Sequence, residues 1–420
     1  MPLTRPTERE RVAGMDKTPR PPLGFAGRLG LFYAATFFLA GIKVTYLPVW
    51  LDWRGLSAAE IGWITAAPLF LRLIATPVIA YGADRTNAHR QVLIGRAWGS
   101  VGLLALMLGA GGFWSILVLT LLLALASTTI MPLTETIAMA GVRRSGHDYG
   151  RMRLWGSLSF IVAGYIAGAG VAAFGPGALL GMLSVAAVLT GLAAHAMPVV
   201  PVAETSTGTA KETAAGPRLT RADVADLASN RPFVLFLAAV GAVQAAHAVF
   251  YTFGVLLWRD QGLSTVTISS LWAIGVVAEI VLFAYSGTVV RLIGANGLLL
   301  AGALAAVVRW ALMAVDPPLW ALAVLQLLHG LTFGATHLGA VHFIAAQVAP
   351  AQAGTAQALH SSVTSGIAMG LATLLAGQLY PQLGGRTYLA MSVLAAFGAI
   401  AAVILARTAR RKTTVVPESE

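Results

Sequence analysis

The dominant constraint on this chain is a series of twelve apolar runs, at 28–50, 59–82, 91–111, 114–139, 154–174, 177–197, 232–257, 267–290, 296–314, 319–344, 354–379 and 387–406. Each has about the 20 residues that a helix needs to cross the hydrocarbon core of a bilayer. Charged residues are only 11% of the chain and hydrophobic ones 57%, too little charge to cover a water-exposed surface. Most of that surface must therefore face lipid. The runs predict an all-α polytopic membrane protein of twelve transmembrane helices. The absence of cysteine excludes disulfides, thiol chemistry and thiolate-bound metals.

Polar segments divide the runs. Residues 1–27 form a polar, Pro-rich tail with no short apolar core ending in a cleavage site, so helix 1 is expected to act as an uncleaved insertion signal. Residues 198–231 are the one long interior polar stretch and read as a linker, with a short amphipathic turn near Ala222–Ala228. It separates two six-helix halves, 28–197 and 232–406, and residues 407–420 form a second tail. Of the 28 Lys and Arg, 22 fall on the termini and even-numbered loops, against three (Arg54, Arg259 and Arg386) in the odd-numbered loops. Basic residues accumulate on the cytoplasmic side, so both tails and the linker are predicted cytoplasmic. The net charge of +11 is then topological. No loop carries the interleaved basic and aromatic residues of a nucleic-acid surface.

The two halves repeat. A shift of 207 residues lays helices 1–2 on helices 7–8, with Gly55-Leu56-Ser57 on Gly262-Leu263-Ser264, Thr45 on Thr252, Ile61 on Ile268 and Ala66 on Ala273. Both copies place tryptophan (Trp50 and Trp53; Trp258) just before the shared turn, as at a membrane–water interface. Identities between apolar helices are cheap, but a Gly-Leu-Ser turn at the same place favours a duplicated six-helix unit. Two pseudo-symmetric halves around a central cavity is the major facilitator architecture. The same shift puts Arg72 opposite Glu279 near the bilayer midplane, where the two could meet across the pseudo-two-fold axis.

Ionisable residues inside the membrane are costly and mark either function or a buried structural pair. The bases are Lys43 on helix 1, Arg72 on helix 2 and Arg309 on helix 9; the acids are Glu135 on helix 4 and Glu279 on helix 8. Histidines join them at 247 on helix 7, at 329, 337 and 342 on helix 10, and at 360 on helix 11. Glu279, Arg309 and His329 lie on consecutive helices. Desolvation favours a neutral carboxyl and a nearby guanidinium an ionised one, so a changing distance between them would load and release a proton. The alternative is a static pair that locks helix 8 to helix 9. Glu135, just after Pro132, could pair with Arg151 or Arg153 at the start of helix 5, as a clamp on the cytoplasmic gate. Lys43 lies about 15 Å deep, and a cavity-facing amine attracts anions. Three interior bases against two acids leave one positive charge, which a carboxylate substrate would balance.

Aromatic residues gather at Tyr46, Phe250, Tyr251, Phe253, Trp272 and Phe333. Most are expected to pack helices or face lipid, with a few forming an apolar wall for a ring-bearing substrate. The stretch His329-Gly330-Leu331-Thr332-Phe333-Gly334 is expected to loosen helix 10, and Pro68, Pro77 and Pro132 to bend helices 2 and 4.

Several of these segments carry a resemblance. They are Pro132-Leu133-Thr134-Glu135, the stretch Asp148 to Ser157 (DYGRMRLWGS), Ala246 to Tyr251 (AHAVFY), Leu271 to Glu279 (LWAIGVVAE), Val308-Arg309-Trp310, and Gln326 to Phe333 (QLLHGLTF). In them, and from helix 1 to helix 12, the chain resembles the phenylpropionic acid permease family of the major facilitator superfamily, a relative of the lactose permease branch. The resemblance implies proton-coupled symport of a small organic solute, an aromatic carboxylate, across a bacterial inner membrane. It also implies a monomer driven by the proton gradient, with no cofactor or metal and with lipid, substrate and protons as its only partners. It makes Glu279, Arg309 and His329 the proton-coupling group. Glu135 and Arg153 become substrate-site residues, alongside Lys43, Arg72, His247, Tyr251 and Trp272. Asp84 and Arg85 match the superfamily's gating loop between helices 2 and 3. The chain departs from the pattern at Ala80, where a glycine is usual, and at His89-Arg90, where a basic pair is usual. Lys43 is not part of the family pattern, which leaves sugars, nucleosides and export as alternatives. A membrane-embedded enzyme has little support, since no His-Glu-x-x-His, paired acidic metal motif or Gly-x-Ser-x-Gly occurs, and a sensor built on a transporter fold would normally carry a larger soluble signalling domain.

Overall fold

The structure, a computed structural model, describes residues 23–86, 89–145, 147–198 and 221–413. Among these no strand occurs, and eleven helical stretches are long and apolar enough to cross a membrane. The last, Pro350–Thr408, runs 59 residues, far more than one crossing needs at about 1.5 Å per residue. It turns at Gly384–Arg386, where Gly384 has φ +51°, and so supplies helices 11 and 12.

Helix 1 (Phe25–Trp53), helix 2 (Ala58–Thr86), helix 3 (His89–Leu108), helix 5 (Tyr149–Phe174), helix 6 (Leu179–Ala196), helix 8 (Thr265–Ala284) and helix 12 (Thr387–Thr413) are continuous. Helix 8 thus ends six residues before the end of the apolar run that predicts it. The missing turns belong to helix 9 (Ser286–Met313), which kinks at Gly294, φ +65°. Helix 2 carries Pro68 and Pro77 without a break. Helix 4 does break, into Gly112–Ser127 and Ile130–Ser145. Pro132 is the cause: it has no N–H and its ring excludes the carbonyl four residues back, that of Thr128. At the break the Thr128 hydroxyl shares a hydrogen bond with the Thr76 hydroxyl of helix 2, at 2.7 Å.

Helix 7 breaks at Ala246 and His247, between Arg231–Ala245 and Ala248–Asp260. Helix 10 joins Leu319–Leu327 to Thr336–Gln347 through a π-helical stretch, Gly330–Ala335, where loosening is expected from the sequence. Helix 11 has a second one, Ser362–Ala368, between Ala353–Ser361 and Met369–Leu383, which no local signal predicted. The amphipathic turn of the linker is a helix, Arg221–Ser229, held by Gln352 donating to Asp226 at 2.9 Å. Both tails and the rest of the linker lie outside the described residues.

The repeat is visible atom by atom at its turn. Gly55 and Gly262 have φ +77° and +82°, the left-handed conformation that glycine adopts without cost. Leu56 N–H donates to Leu51 and Leu263 N–H to Trp258, closing the same helix end in both halves. Ser57 and Ser264 then cap helices 2 and 8, Ser57 in a reciprocal box with Glu60. Between the halves, helix 2 packs on helix 11, helix 5 on helix 8 and helix 1 on helix 7. Helices 2 and 11 touch backbone to backbone: a Cβ on Gly377 would stand 2.9 Å from the Ala58 carbonyl and 3.1 Å from Gly62 Cα.

Every hydrogen bond and ion pair that joins the halves, among the described residues, lies toward the odd-numbered loops. Tyr46 bonds Ser269 at 3.0 Å, Ser269 donates to the Gly164 carbonyl at 2.9 Å and Tyr165 bonds Ser270 at 2.9 Å. At the very end, Arg259 donates to Asp52 at 2.8 Å, across the repeat interval of 207 residues. That end of the interface is sealed.

Candidate functional site

Behind the seal lies a cavity of about 700 Å³ between the halves. Helices 1, 2 and 5 contribute Lys43, Arg72 and Arg153 to its wall; helices 7, 8 and 10 contribute Tyr251, Trp272, Glu279 and His329. Seven of the residues singled out in the sequence thus share one space.

On the C-terminal side a polar network leads back from Glu279. Its carboxylate Oε2 lies 3.9 Å from His329 Nε2. His329 Nδ1 lies 3.1 Å from Arg309, which can only donate, so Nδ1 accepts and the ring proton sits on Nε2, facing Glu279. Arg309 is wholly buried behind the histidine and also donates to Gln326 Oε1 at 2.7 Å and Thr332 Oγ1 at 3.0 Å. Thr332 passes its own proton to His247 Nε2 at 3.1 Å, because His247 Nδ1 must donate to the carbonyls of Val243 and Gln244, both at 3.1 Å. The Arg309 guanidinium lies over the rings of Trp310, 4.5 Å, and Phe250, 5.0 Å. Glu279 and Arg309 therefore do not pair directly; His329 stands between them. The other expected pairing, Arg72 with Glu279, does not form either. Glu279 faces the neutral His329 ring, and Arg72 has no ion-pair partner among the described residues. The halves also touch along helices 2 and 11, where Phe70 lies against Gly370 and Leu73 against Gly366, but positions 72 and 279 both open onto the cavity, whereas the equivalent positions 52 and 259 pair at the seal.

The aromatic wall belongs to the same half. Phe250 stacks on Trp272 with centroids 4.6 Å apart and Tyr251 flanks it at 6.0 Å, while Phe160 of helix 5 reaches Trp272 from the other half at 6.4 Å. The Trp272 indole N–H is buried without an acceptor, an uncommon state for a polar group. Tyr46 belongs to the seal and Phe253 packs on Tyr380, so these two are not part of the wall.

On the N-terminal side Arg153 lies over Phe37 at 3.9 Å and Tyr33 at 5.7 Å, and its charge is felt by Glu279 across the cavity. Glu135 does not line the cavity; the phenols of Tyr33 and Tyr149 face it, and Tyr149 also senses Arg153. Arg151 points away and pairs with Asp148 at 3.7 Å. Lys43 and Arg72 interact electrostatically with each other, and neither has a hydrogen-bond or ion-pair partner among the described residues. The side chains of Asp84 and Arg85, at the end of helix 2, lie outside the described residues. Thr332 went unnoticed in the sequence, although its place three residues after His329 puts it on the same helix face. Phe37 and Phe160 carried no signal at all.

Similarity to known proteins identifies the fold and the family. Over 372 residues the chain is 32% identical to the "Probable 3-phenylpropionic acid transporter" of Escherichia coli (strain K12), covering 87% of this chain and 94% of that one. It is 31% identical over 401 residues to the "Maltose permease" of Geobacillus stearothermophilus, covering 90% and 94%. Among solved structures, nucleoside transporter NupG superposes with a TM-score of 0.77 at 17% identity, covering 92% of this chain and 99% of that one. A bacterial homolog of the lysosomal transporter Spinster superposes at 0.69, with 16% identity, covering 91% and 96%. Both structural likenesses speak to the fold. Residues 27–391 match the MFS_1 like family, and the chain belongs to it: it is a multi-pass transporter of the major facilitator fold and not an enzyme.

Proposed function

We propose that this transporter is a proton-coupled symporter of the bacterial inner membrane, with both termini cytoplasmic, that takes up a small aromatic carboxylate of the phenylpropionate type. The observation that carries the reading is the ordered path Glu279–His329–Arg309 ending on the cavity wall. Glu279 is its one ionisable acid and the only member whose proton can leave toward the cavity. His329 holds its N–H toward that carboxylate, and Arg309 keeps the ring in this tautomer. Protonation of Glu279 removes a charge that Arg153 senses from the other half, so the charge state bears on how the halves attract. The wall formed by Phe250, Tyr251 and Trp272 offers a flat apolar surface for a ring. The likeness to a probable 3-phenylpropionic acid transporter supports the substrate class. The likeness to a maltose permease supports a neutral sugar as the second reading.

Proteoliposomes loaded with the purified chain test the proposal. An imposed inward proton gradient should accumulate labelled 3-phenylpropionate but not maltose, and a protonophore should abolish accumulation. Glu279→Gln should lose gradient-driven accumulation while retaining exchange of internal for external substrate. Full accumulation by that variant would overturn the coupling role.

A further inference from the structure

We infer that Lys43 and Arg72 together seat the anionic group of the substrate, a single carboxylate held by two cations of the N-terminal half while its ring lies on the aromatic wall of the other half. The inference rests on the aromatic-carboxylate reading above and specifies how that substrate is held.

Each base at or near the cavity has an occupation except these two. Arg309 donates to three acceptors through its two terminal nitrogens, behind the cavity wall. Arg153 lies on the faces of Phe37 and Tyr33. Lys43 and Arg72 both line the cavity, and the charge that Lys43 senses most is that of Arg72. Two like charges on one cavity wall repel, and an anion between them removes both the repulsion and the unmet demand for acceptors. An arginine fork offers two parallel donors to a carboxylate, and an ammonium beside it adds a third.

The repeat sharpens the argument. At the interval of 207 residues that relates Asp52 to Arg259, Lys43 corresponds to Phe250 and Arg72 to Glu279. The duplicated positions have thus diverged in chemistry. One half presents two cations where the other presents a ring face and the proton-bearing acid. A ligand with a carboxylate at one end and a ring at the other spans the two halves at pseudo-equivalent positions.

Isothermal titration of the full-length protein in detergent tests this with two probes of nearly equal shape, 3-phenylpropionate and its neutral amide, 3-phenylpropionamide. Wild type should bind the acid at least about 10-fold more tightly. Lys43→Gln and Arg72→Gln should each weaken the acid about 10- to 100-fold, the scale of a charge-assisted hydrogen bond, and change the amide by less than about threefold. Lys43→Arg should hold the acid within about threefold of wild type. Equal binding of acid and amide by wild type, or of neither, overturns the seat. So does equal weakening of both probes by the Gln variants, or a loss confined to one variant. Should a Gln variant fail to melt cooperatively, the acid–amide comparison in wild type decides alone. The result is separable from proton coupling. Selective acid binding without gradient-driven accumulation refutes coupling and leaves the seat, whereas gradient-driven accumulation of maltose refutes the seat and leaves coupling.

Discussion

Opening the sealed end of the interface must break the bond between Arg259 and Asp52, which makes its contribution measurable. The two side chains are 39% and 42% exposed and 2.8 Å apart. Half-exposed ion pairs are worth about 0.2–1 kcal/mol, which is about a 1.4- to 5-fold change in the closed-to-open ratio. Arg259→Ala or Asp52→Ala should raise the open fraction by that factor and no more, since Tyr46, Ser269 and the helix 2–helix 11 contact remain. Because the chain has no cysteine, a single Val44→Cys substitution gives an unambiguous reporter. Val44 lines the cavity just behind Tyr46, so a membrane-impermeant maleimide added from the odd-loop side reaches it only when the seal opens. The labelling rate should rise about 1.4- to 5-fold in each single variant, and the double variant should label no faster than the singles. The exchange Asp52→Arg with Arg259→Asp should restore the slow rate. At 1 M salt, where the Debye length is about 3 Å, the differences should shrink. Additive effects of the two single variants, or unchanged rates in both, would refute the reasoning.

Three further outcomes follow from particular contacts. Gly377→Leu places a side chain against the Ala58 carbonyl and Gly62 Cα, backbone atoms that cannot rotate away. Val44→Cys labelling from the odd-loop side should then rise at least about 10-fold, beyond what loss of an ion pair achieves; an unchanged rate would show that the helices part without this contact. Arg309→Lys cannot reach His329, Gln326 and Thr332 with one nitrogen, and an orphaned buried acceptor costs about 1–3 kcal/mol. Gradient-driven uptake should fall at least about 10-fold and the melting temperature should drop, so retention of both would remove Arg309 from the network. Tyr46→Phe deletes the bond to Ser269 at 3.0 Å, while Ser269 keeps Gly164 as its acceptor. A net loss of about 0.5–1.5 kcal/mol should speed labelling about 2- to 12-fold, and a rate equal to wild type would exclude that bond from the seal.

The resemblance placed Glu279, Arg309 and His329 together, and they do adjoin, but in an order that helix sequence could not give. His329 stands between acid and base because the loosened stretch of helix 10 turns it toward helix 8. His247, set among substrate residues in the sequence, sits wholly behind the wall as the last member of the hydrogen-bonded path. The break in helix 4 was legible because Pro132 acts locally. The π-helical stretch of helix 11 was not, since no proline marks it.

Crossing length, the basic skew of the loops, the Gly-Leu-Ser turn and the list of intramembrane charges were settled by the sequence alone. Each depends on a residue and its near neighbours: apolar length matched to the bilayer, a left-handed glycine, a capping serine. The tertiary structure alone decided which of those charges face one another. A helix that is apolar all round carries no stripe to say which side turns inward, so its rotation is set by packing against neighbours. That rotation leaves Lys43 and Arg72 unpaired on one cavity wall and Glu279 on the other. The charge pair that bridges the repeat is instead Asp52 with Arg259, at the sealed end.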